Sequence, residues 1–220
     1  HARAVECVDT KGGRVVTLEA RAIVLAASAI ESARILAATD GLELPGLGEG
    51  LVDHAYCGAI VIVRVPPPST DAGPLDDAAL VRPERSESGL GFSVEVRGPV
   101  SLASLDDEDL GLLGIPRADA ERMSFHSVFA VGELGPSARR RVRFDGRARD
   151  SLGRTVPVLE LPALSADEST LARAMRARCQ EISRLLAGSD GTVVRIRDPR
   201  DRLLAHEAGT CRMGSAKSGA

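Results

Sequence analysis

The chain has 220 residues, enough for one sizeable core or for one and a half domains of ordinary size. Its 28 basic and 31 acidic side chains give a net charge of −3, so the composition indicates no nucleic-acid or anionic-membrane surface. The longest apolar run, residues 22–30, is far shorter than the roughly 20 residues that cross a bilayer, which excludes a membrane-spanning helix.

The beginning of the chain predicts two strands, a turn and a third strand that is buried. Residues 4–9 and 14–19 have extended patterns and flank the glycine pair at 12–13. Residues 23–27 form a continuous apolar run, which is typical of a strand buried on both faces of a sheet.

A helix is predicted to begin directly after this run. Ser28 can cap it, and Glu31, three residues later, completes a capping box. A buried strand that runs through small residues into a capped helix is typical of the edge of an α/β layer. At such an edge, backbone amides can approach the phosphate or the ring of a ligand.

The middle of the chain predicts a largely antiparallel sheet. Residues 66–74 are rich in proline and polar residues and predict an exposed crossing loop. Short extended segments joined by glycine and proline turns surround this loop, a pattern typical of antiparallel sheets. These segments are residues 57–65, 91–97, 123–131, 140–144 and 155–161.

One long helix follows these segments. Ser165 and Glu168 predict a second capping box at its start, and Gly188 predicts its end. Its apolar residues recur at helical spacing and predict packing against the sheet. They are Leu171, Met175, Cys179, Ile182 and Leu186.

Six arginines between residues 139 and 149 form the only charge cluster. A nucleic-acid site of this kind needs aromatic platforms, and this neighbourhood offers little beyond Phe144. The cluster therefore favours a solvated strand-and-turn edge that is protected by its charge.

The cysteines and most of the histidines indicate no site by themselves. The cysteines are too scattered to converge on zinc, so we predict no metal ligands. Cys7, Cys57 and Cys179 are interpreted as small hydrophobic residues. His126 lies in an apolar strand and is interpreted as half-buried, whereas His54 follows an aspartate and is interpreted as a local hydrogen-bonding residue.

His206 lies in a different context, a dense run of small and polar residues that includes Gly209 and Thr210. An imidazole held on such a turn can accept a proton near neutral pH. Composition alone leaves an alternative open, in which Cys211 is a nucleophile and His206 is its base.

This run, His206 to Gly214 (HEAGTCRMG), resembles the C-terminal hallmark of the glucose–methanol–choline (GMC) oxidoreductases, a family of FAD-dependent enzymes. Residues 22–36 (AIVLAASAIESARIL) are similar to the family's second signature, in which a glycine commonly stands near Ser28. Residues 48–54 (GEGLVDH) resemble its Gly-x-x-Leu-x-Asp-His loop, and residues 141–157 resemble its middle strand pair around an Asp, Leu, Gly turn.

The resemblance implies a fold class of α/β plus α+β with two domains. Residues 1–40 and 206–220 would be part of an FAD-binding α/β domain. Residues 41–205 would form a substrate-binding domain, a largely antiparallel sheet backed by helices.

The resemblance also implies a function, the oxidation of the CH–OH group of an alcohol or a sugar. His206 would be the catalytic residue that takes the hydroxyl proton, while the hydride passes to N5 of the flavin. The cofactor would be FAD, and the residues implied to contact it are Ala26, Ala27, Ser28 and Thr210. The electron acceptor and the localisation are not predicted, and no nucleic-acid partner is expected.

The family's GxGxxG fingerprint is missing from these residues, and its second active-site residue, a His or Asn, is expected beyond Ala220. The chain is therefore expected to be a central and C-proximal fragment that alone neither retains FAD tightly nor turns over. The alternative is a non-catalytic remnant or binding module that keeps the fold of the substrate domain.

Overall fold

The structure is a computed structural model that describes residues 2–64, 79–100, 106–197 and 206–212. The predicted loop at residues 66–74 lies outside them. The elements in chain order are β1 (Ala4–Val8), β2 (Val15–Glu19), α1 (Ser28–Ala37), β3 (His54–Val63), β4 (Ala79–Arg85), β5 (Gly91–Val100), α2 (Asp107–Leu113), α3 (Arg117–Ala120), β6 (Ser124–Glu133), β7 (Arg141–Arg143), β8 (Val158–Glu160), α4 (Ala166–Ala187) and β9 (Thr192–Arg197).

The chain divides into two compact units. The first consists of residues 1–51, 141–160 and 208–220, and the second consists of residues 52–140 and 161–207. Together they give a mixed fold in which every described strand pair is antiparallel. Among the described residues, no helix is both long enough and apolar enough to span a membrane.

The first unit begins with the predicted hairpin. Strands β1 and β2 pair in antiparallel register, with Val5 opposite Leu18, which confirms both predicted strands. The turn closes where the Gly13 N–H donates to the Asp9 carbonyl at 2.7 Å, with Gly13 in the left-handed conformation that glycine favours.

The prediction of a buried strand at residues 23–27 is wrong. These residues form no strand, and Val24 is 89% exposed. A strand buried on both faces needs hydrogen-bonded neighbours on both sides, and within the described ranges no strand pairs with this run. The apolar composition of residues 23–27 therefore does not produce a strand, because no strand among the described residues pairs with them.

The predicted capping box at the start of α1 is also wrong. The N-cap is Ala27, and Ser28 has a φ of 71°. The Ser28 hydroxyl oxygen accepts only a long hydrogen bond, 3.5 Å, from the Glu31 N–H. The Glu31 carboxylate turns to the Arg34 guanidinium instead of the backbone at the cap, so the reciprocal bond does not form.

The first unit also contains the short pair β7 and β8, which confirms the extended segments predicted there, although each strand is shorter than predicted. The turn between them is held by Asp150. Its carboxylate accepts hydrogen bonds from the backbone N–H groups of Leu152, at 2.9 Å, and Arg154, at 3.0 Å. These backbone bonds, with the Arg154 side chain, hold the pKa of Asp150 far below its usual value.

The second unit is a five-stranded antiparallel sheet with the order β4-β5-β6-β3-β9. Three of the five predicted segments form its strands β3, β5 and β6, whereas the other two form the separate pair β7 and β8. The sequence missed its two edge strands, β4 and β9. Helix α4 packs on one face of the sheet, and the buried core between them is almost free of aromatic residues. Its members include Cys57, Val61, Phe92, Val94, Val128, Ala130, Leu171, Met175 and Cys179.

Helix α4 forms as predicted. Ser165 and Glu168 make a full capping box, and Leu171, Met175 and Cys179 are fully buried against the sheet. The helix ends one residue before Gly188, which has a φ of 57° that suits glycine.

The opposite face of the sheet, called here the open face, carries the residues that alternate with this core. Cys57 and Ala130 contact the α4 side, so their neighbours Tyr56 and Val131 point the other way. At one end of the open face, Ile62 and Phe125 are covered by α2 and α3. At the other end lie His54, Tyr56, Ser93, Val131 and Glu133.

The arginine cluster is only partly a solvated edge. Arg139, Arg143, Arg147 and Arg149 are exposed, as predicted. Arg140 is buried and pairs with Glu168, so the prediction is wrong at this position. The sequence does not indicate this ion pair, because Glu168 lies 28 residues after Arg140, in the capping box of α4.

Candidate functional site

His206 lies against the open face of the sheet in the second unit, next to Tyr56. The hydroxyl oxygen of Tyr56 is 2.9 Å from Nδ1 of His206, which is hydrogen-bonding distance. Burial, together with the negative charge of Asp53, raises the pKa of Tyr56, so the phenol is neutral in the physiological range.

Two further residues complete this group. The His54 ring lies edge-on to the His206 ring, with 5.4 Å between ring centroids. The Asp53 carboxylate accepts a hydrogen bond from the His54 backbone N–H at 2.7 Å and a longer one from the His206 backbone N–H at 3.3 Å. Asp53, His54, Tyr56 and His206 are called here the histidine cluster.

The strand β3 explains how the cluster is held. Side chains two residues apart on a strand point to the same face, so His54 and Tyr56 both lie on the open face. Between them, Ala55 is buried in the core on the α4 side. At these two residues β3 is paired with β6, with His54 opposite Glu133 and Tyr56 opposite Val131, and this ladder supports both side chains.

The sequence interpretation found only part of this cluster. His206 was singled out, and the interpretation of His54 as a local partner of Asp53 holds for its backbone N–H. The contact of the His54 ring with His206, and the whole role of Tyr56, were missed. The alternation of His54 and Tyr56 could have placed both on one face, but nothing in the sequence indicates a contact across 150 residues.

A groove in the second unit opens beside the cluster. It has a volume of about 340 Å³, and His54 forms part of its wall. The other lining residues are both charged and apolar and include Glu84, Phe92, Val131 and Glu133. Such a groove can admit a small molecule next to His54.

Thr210, a predicted cofactor residue, is an anchor within the first unit. It is 1% exposed, and its hydroxyl donates to the Ala29 carbonyl at 2.7 Å. Its own carbonyl accepts from the Gly48 N–H at 2.8 Å. Within the first unit, Thr210 therefore links the start of α1 to Gly48.

The other predicted cofactor residues, Ala26, Ala27 and Ser28, lie at the start of α1. Their side chains are small, and Ala26 and Ser28 are exposed. The Ala27 N–H donates to the Ser32 hydroxyl at 3.1 Å. The start of a helix also carries partial positive charge, which favours acceptor and anionic atoms of a ligand. No bulky side chain stands among these three residues, so they fit the close approach of a cofactor such as FAD.

The remaining candidate residues are not members of the histidine cluster. His126 is half-buried, as predicted, and burial lowers its pKa. Cys57 and Cys179 are buried in the apolar core, whereas Cys7 is exposed on β1. Cys211 is exposed as well. Across residues 2–64, 79–100, 106–197 and 206–212, no group of His, Cys, Asp and Glu side chains is arranged to hold a metal ion.

No protein-family model matches the chain, and none of the curated proteins matches it significantly. The motifs and the geometry of the histidine cluster are therefore the basis for a functional assignment.

Proposed function

We propose that the chain is part of an FAD-dependent oxidoreductase of the GMC type that oxidises the CH–OH group of an alcohol or a sugar. One observation carries the proposal. The histidine that opens the HEAGTCRMG run is exposed, and its Nδ1 is engaged by Tyr56. Within the described residues its Nε2 has no hydrogen-bond partner, which leaves that nitrogen for a substrate.

The chemistry follows from this geometry. A substrate hydroxyl within hydrogen-bonding distance of Nε2 can give its proton to the neutral imidazole of His206. Loss of that proton makes the adjacent C–H bond a better hydride donor. FAD, when bound, would supply the hydride acceptor. The groove beside His54 would hold the rest of a small polar substrate.

The start of α1 supports the cofactor assignment. We assign cofactor contact to Ala26, Ala27 and Ser28, and a supporting role to Thr210, which holds Ala29 in place. Ser28 has a φ of 71°, a conformation that favours glycine. A glycine near this position is what the GMC signature commonly has, so the backbone agrees with the resemblance although the side chain departs from it.

The test uses the protein encoded by the complete reading frame that contains these residues. Flavin reduction is measured in the absence of oxygen with a panel of alcohols and sugars, for wild type, His206→Gln and His126→Gln. Loss of a general base costs about 10²–10⁴-fold, so we expect His206→Gln to slow reduction by this factor with unchanged flavin content. His126→Gln is the matched control and should react like wild type.

Two outcomes would overturn the proposal: a purified protein that carries no flavin, or an His206→Gln variant that is reduced as fast as wild type. The groove favours one alternative, a binding module without redox function. Such a module would bind an alcohol or sugar in calorimetry without any flavin. Thiol chemistry at the exposed Cys211 would instead appear as rapid alkylation of that one cysteine.

A further inference from the structure

The histidine cluster also determines which nitrogen of His206 carries the proton. A neutral imidazole has one N–H donor and one acceptor nitrogen, and the partner of one nitrogen decides the role of the other. Here the partner of Nδ1 is the Tyr56 hydroxyl, which can either donate or accept. If Tyr56 donates, Nε2 keeps a hydrogen and cannot take a proton. If Tyr56 accepts, Nε2 is the acceptor.

The surroundings of Tyr56 favour the second arrangement. Burial is the larger cause of the raised pKa of Tyr56, and the negative charge of Asp53 raises this pKa further. The Asp53 carboxylate is held in the same cluster, because it accepts from the backbone N–H groups of His54 and His206. From there its charge attracts the hydroxyl hydrogen of Tyr56 and leaves the oxygen lone pairs for other donors. The Nδ1–H of His206, 2.9 Å away, is such a donor.

Proton transfer favours the same arrangement. When His206 takes up a proton at Nε2, both ring nitrogens carry hydrogen and both need acceptors. A Tyr56 oxygen that already accepts from Nδ1–H serves the neutral and the charged ring without any rearrangement. A Tyr56 that donated to Nδ1 would block protonation there and leave Nε2 without a lone pair.

We propose that Tyr56 is a positioning residue for the reaction, which accepts a hydrogen bond from Nδ1–H of His206 and thereby makes Nε2 the proton acceptor. The role of Tyr56 in the reaction rests on the proposed function, but the position of the proton on His206 can be tested without it. Its structural basis is the pairing of β3 with β6, which holds Tyr56 between the buried residues Ala55 and Cys57.

The test is NMR of histidine side-chain nitrogens in isotope-labelled protein from the complete reading frame, at a pH where the imidazoles are neutral. Among the histidines of residues 1–220, the signal of His206 is the one that disappears in His206→Gln. We expect protonated Nδ1 and unprotonated Nε2 in wild type. In Tyr56→Phe, which keeps the ring but loses the oxygen, we expect a mixture of both tautomers.

Ser127→Ala is the matched control, since it removes a hydroxyl from the same face of the sheet, opposite Ile60 on β3. It should leave the His206 signals unchanged. Asp53→Asn is a second variant, which keeps an oxygen acceptor but loses the charge, and we expect it to shift His206 toward the same mixture as Tyr56→Phe. It also keeps the test decisive if Tyr56→Phe does not fold.

The inference is overturned if wild-type His206 carries its hydrogen on Nε2, or if both Tyr56→Phe and Asp53→Asn leave the tautomer unchanged. This readout needs neither substrate nor flavin turnover. A protein that lacks flavin but shows protonated Nδ1 would refute the proposed function alone. A protein that oxidises alcohols but has protonated Nε2 would refute only the role of Tyr56.

Discussion

The buried ion pair between Arg140 and Glu168 gives the sharpest prediction of stability. The side chains are only 5% and 7% exposed. Glu168 accepts from the Arg140 guanidinium with one oxygen and from the Ser165 N–H, at 2.9 Å, with the other. Arg140 also donates to the Gly135 carbonyl at 2.8 Å, and its Nε is buried without a partner within the described residues. Little else can compensate the charge of Arg140.

Two substitutions separate the charge from the cap. Glu168→Ala leaves a buried, uncompensated cation, which costs about 3–5 kcal/mol, and removes the acceptor for the Ser165 N–H. Glu168→Gln keeps one oxygen for that N–H, but its amide NH2 cannot accept from Arg140, so the charge and that hydrogen bond are lost while the cap remains. We expect a smaller loss of about 2–3 kcal/mol, since hydrogen bonds to charged groups contribute about 1.5–3 kcal/mol. The exposed Glu181 on the same helix provides the control, because its partner Arg178 also pairs with Glu84 and Glu181→Gln should cost at most about 0.5 kcal/mol.

The assay is urea unfolding followed by far-ultraviolet circular dichroism, because α4 is the longest described helix and contains both glutamates. Burial raises the pKa of Glu168, but the Ser165 N–H and Arg140 outweigh burial, so its pKa lies below the usual value. The folded pKa is therefore below the unfolded pKa, and the contribution of the pair is complete above the unfolded pKa and lost as the pH falls through the folded one. If Glu168→Gln and Glu181→Gln lose the same free energy at neutral pH, the reasoning is refuted.

Three further predictions test other parts of the structure. Ser28→Gly should raise the free energy of unfolding by about 0.5 kcal/mol, because glycine removes the strain of the left-handed conformation and this gain exceeds its entropy cost. A lower free energy of unfolding in urea would contradict this prediction. Gly132→Ala should destabilise the fold by about 1–3 kcal/mol, since an added Cβ would lie 2.6 Å from the sulfur of buried Met175, and an unchanged melting temperature would contradict the packing described. Tyr56 is the only tyrosine in residues 1–220, and its signal in an alkaline absorbance titration is identified by its loss in Tyr56→Phe. The titration should give Tyr56 a pKa above the usual value, and this pKa should be lower in Asp53→Asn.

Much of the second unit could be predicted because its signals are local. The apolar stripe of α4 and the pairing of Ser165 with Glu168 are both contained within one helix. The strands around β5 and β6 alternate between a buried and an open face, which is readable residue by residue. The edge strand β9 was missed because it pairs with β3, far earlier in the chain, whereas β4 forms a local hairpin with β5 that the sequence interpretation did not identify.

The wrong predictions also have a common physical cause, which is dependence on partners far away in sequence. The run at residues 23–27 looks like a buried strand, but burial requires neighbours that its own composition does not supply. Arg140 looks like its exposed neighbours, and only the position of Glu168 shows that it is buried. In the same way, the motif identified His206, whereas its partner Tyr56 became visible only in the folded sheet.

The central claim is that His206 accepts a proton while an alcohol is oxidised at a bound flavin. Its most direct test is an anaerobic titration of the purified protein from the complete reading frame with an alcohol that it accepts. The account predicts that each equivalent of alcohol bleaches one equivalent of flavin and appears as the carbonyl product, and that this is lost in His206→Gln with the flavin retained. A flavin that stays oxidised with every alcohol and sugar tested, or bleaching that persists in His206→Gln, would contradict it.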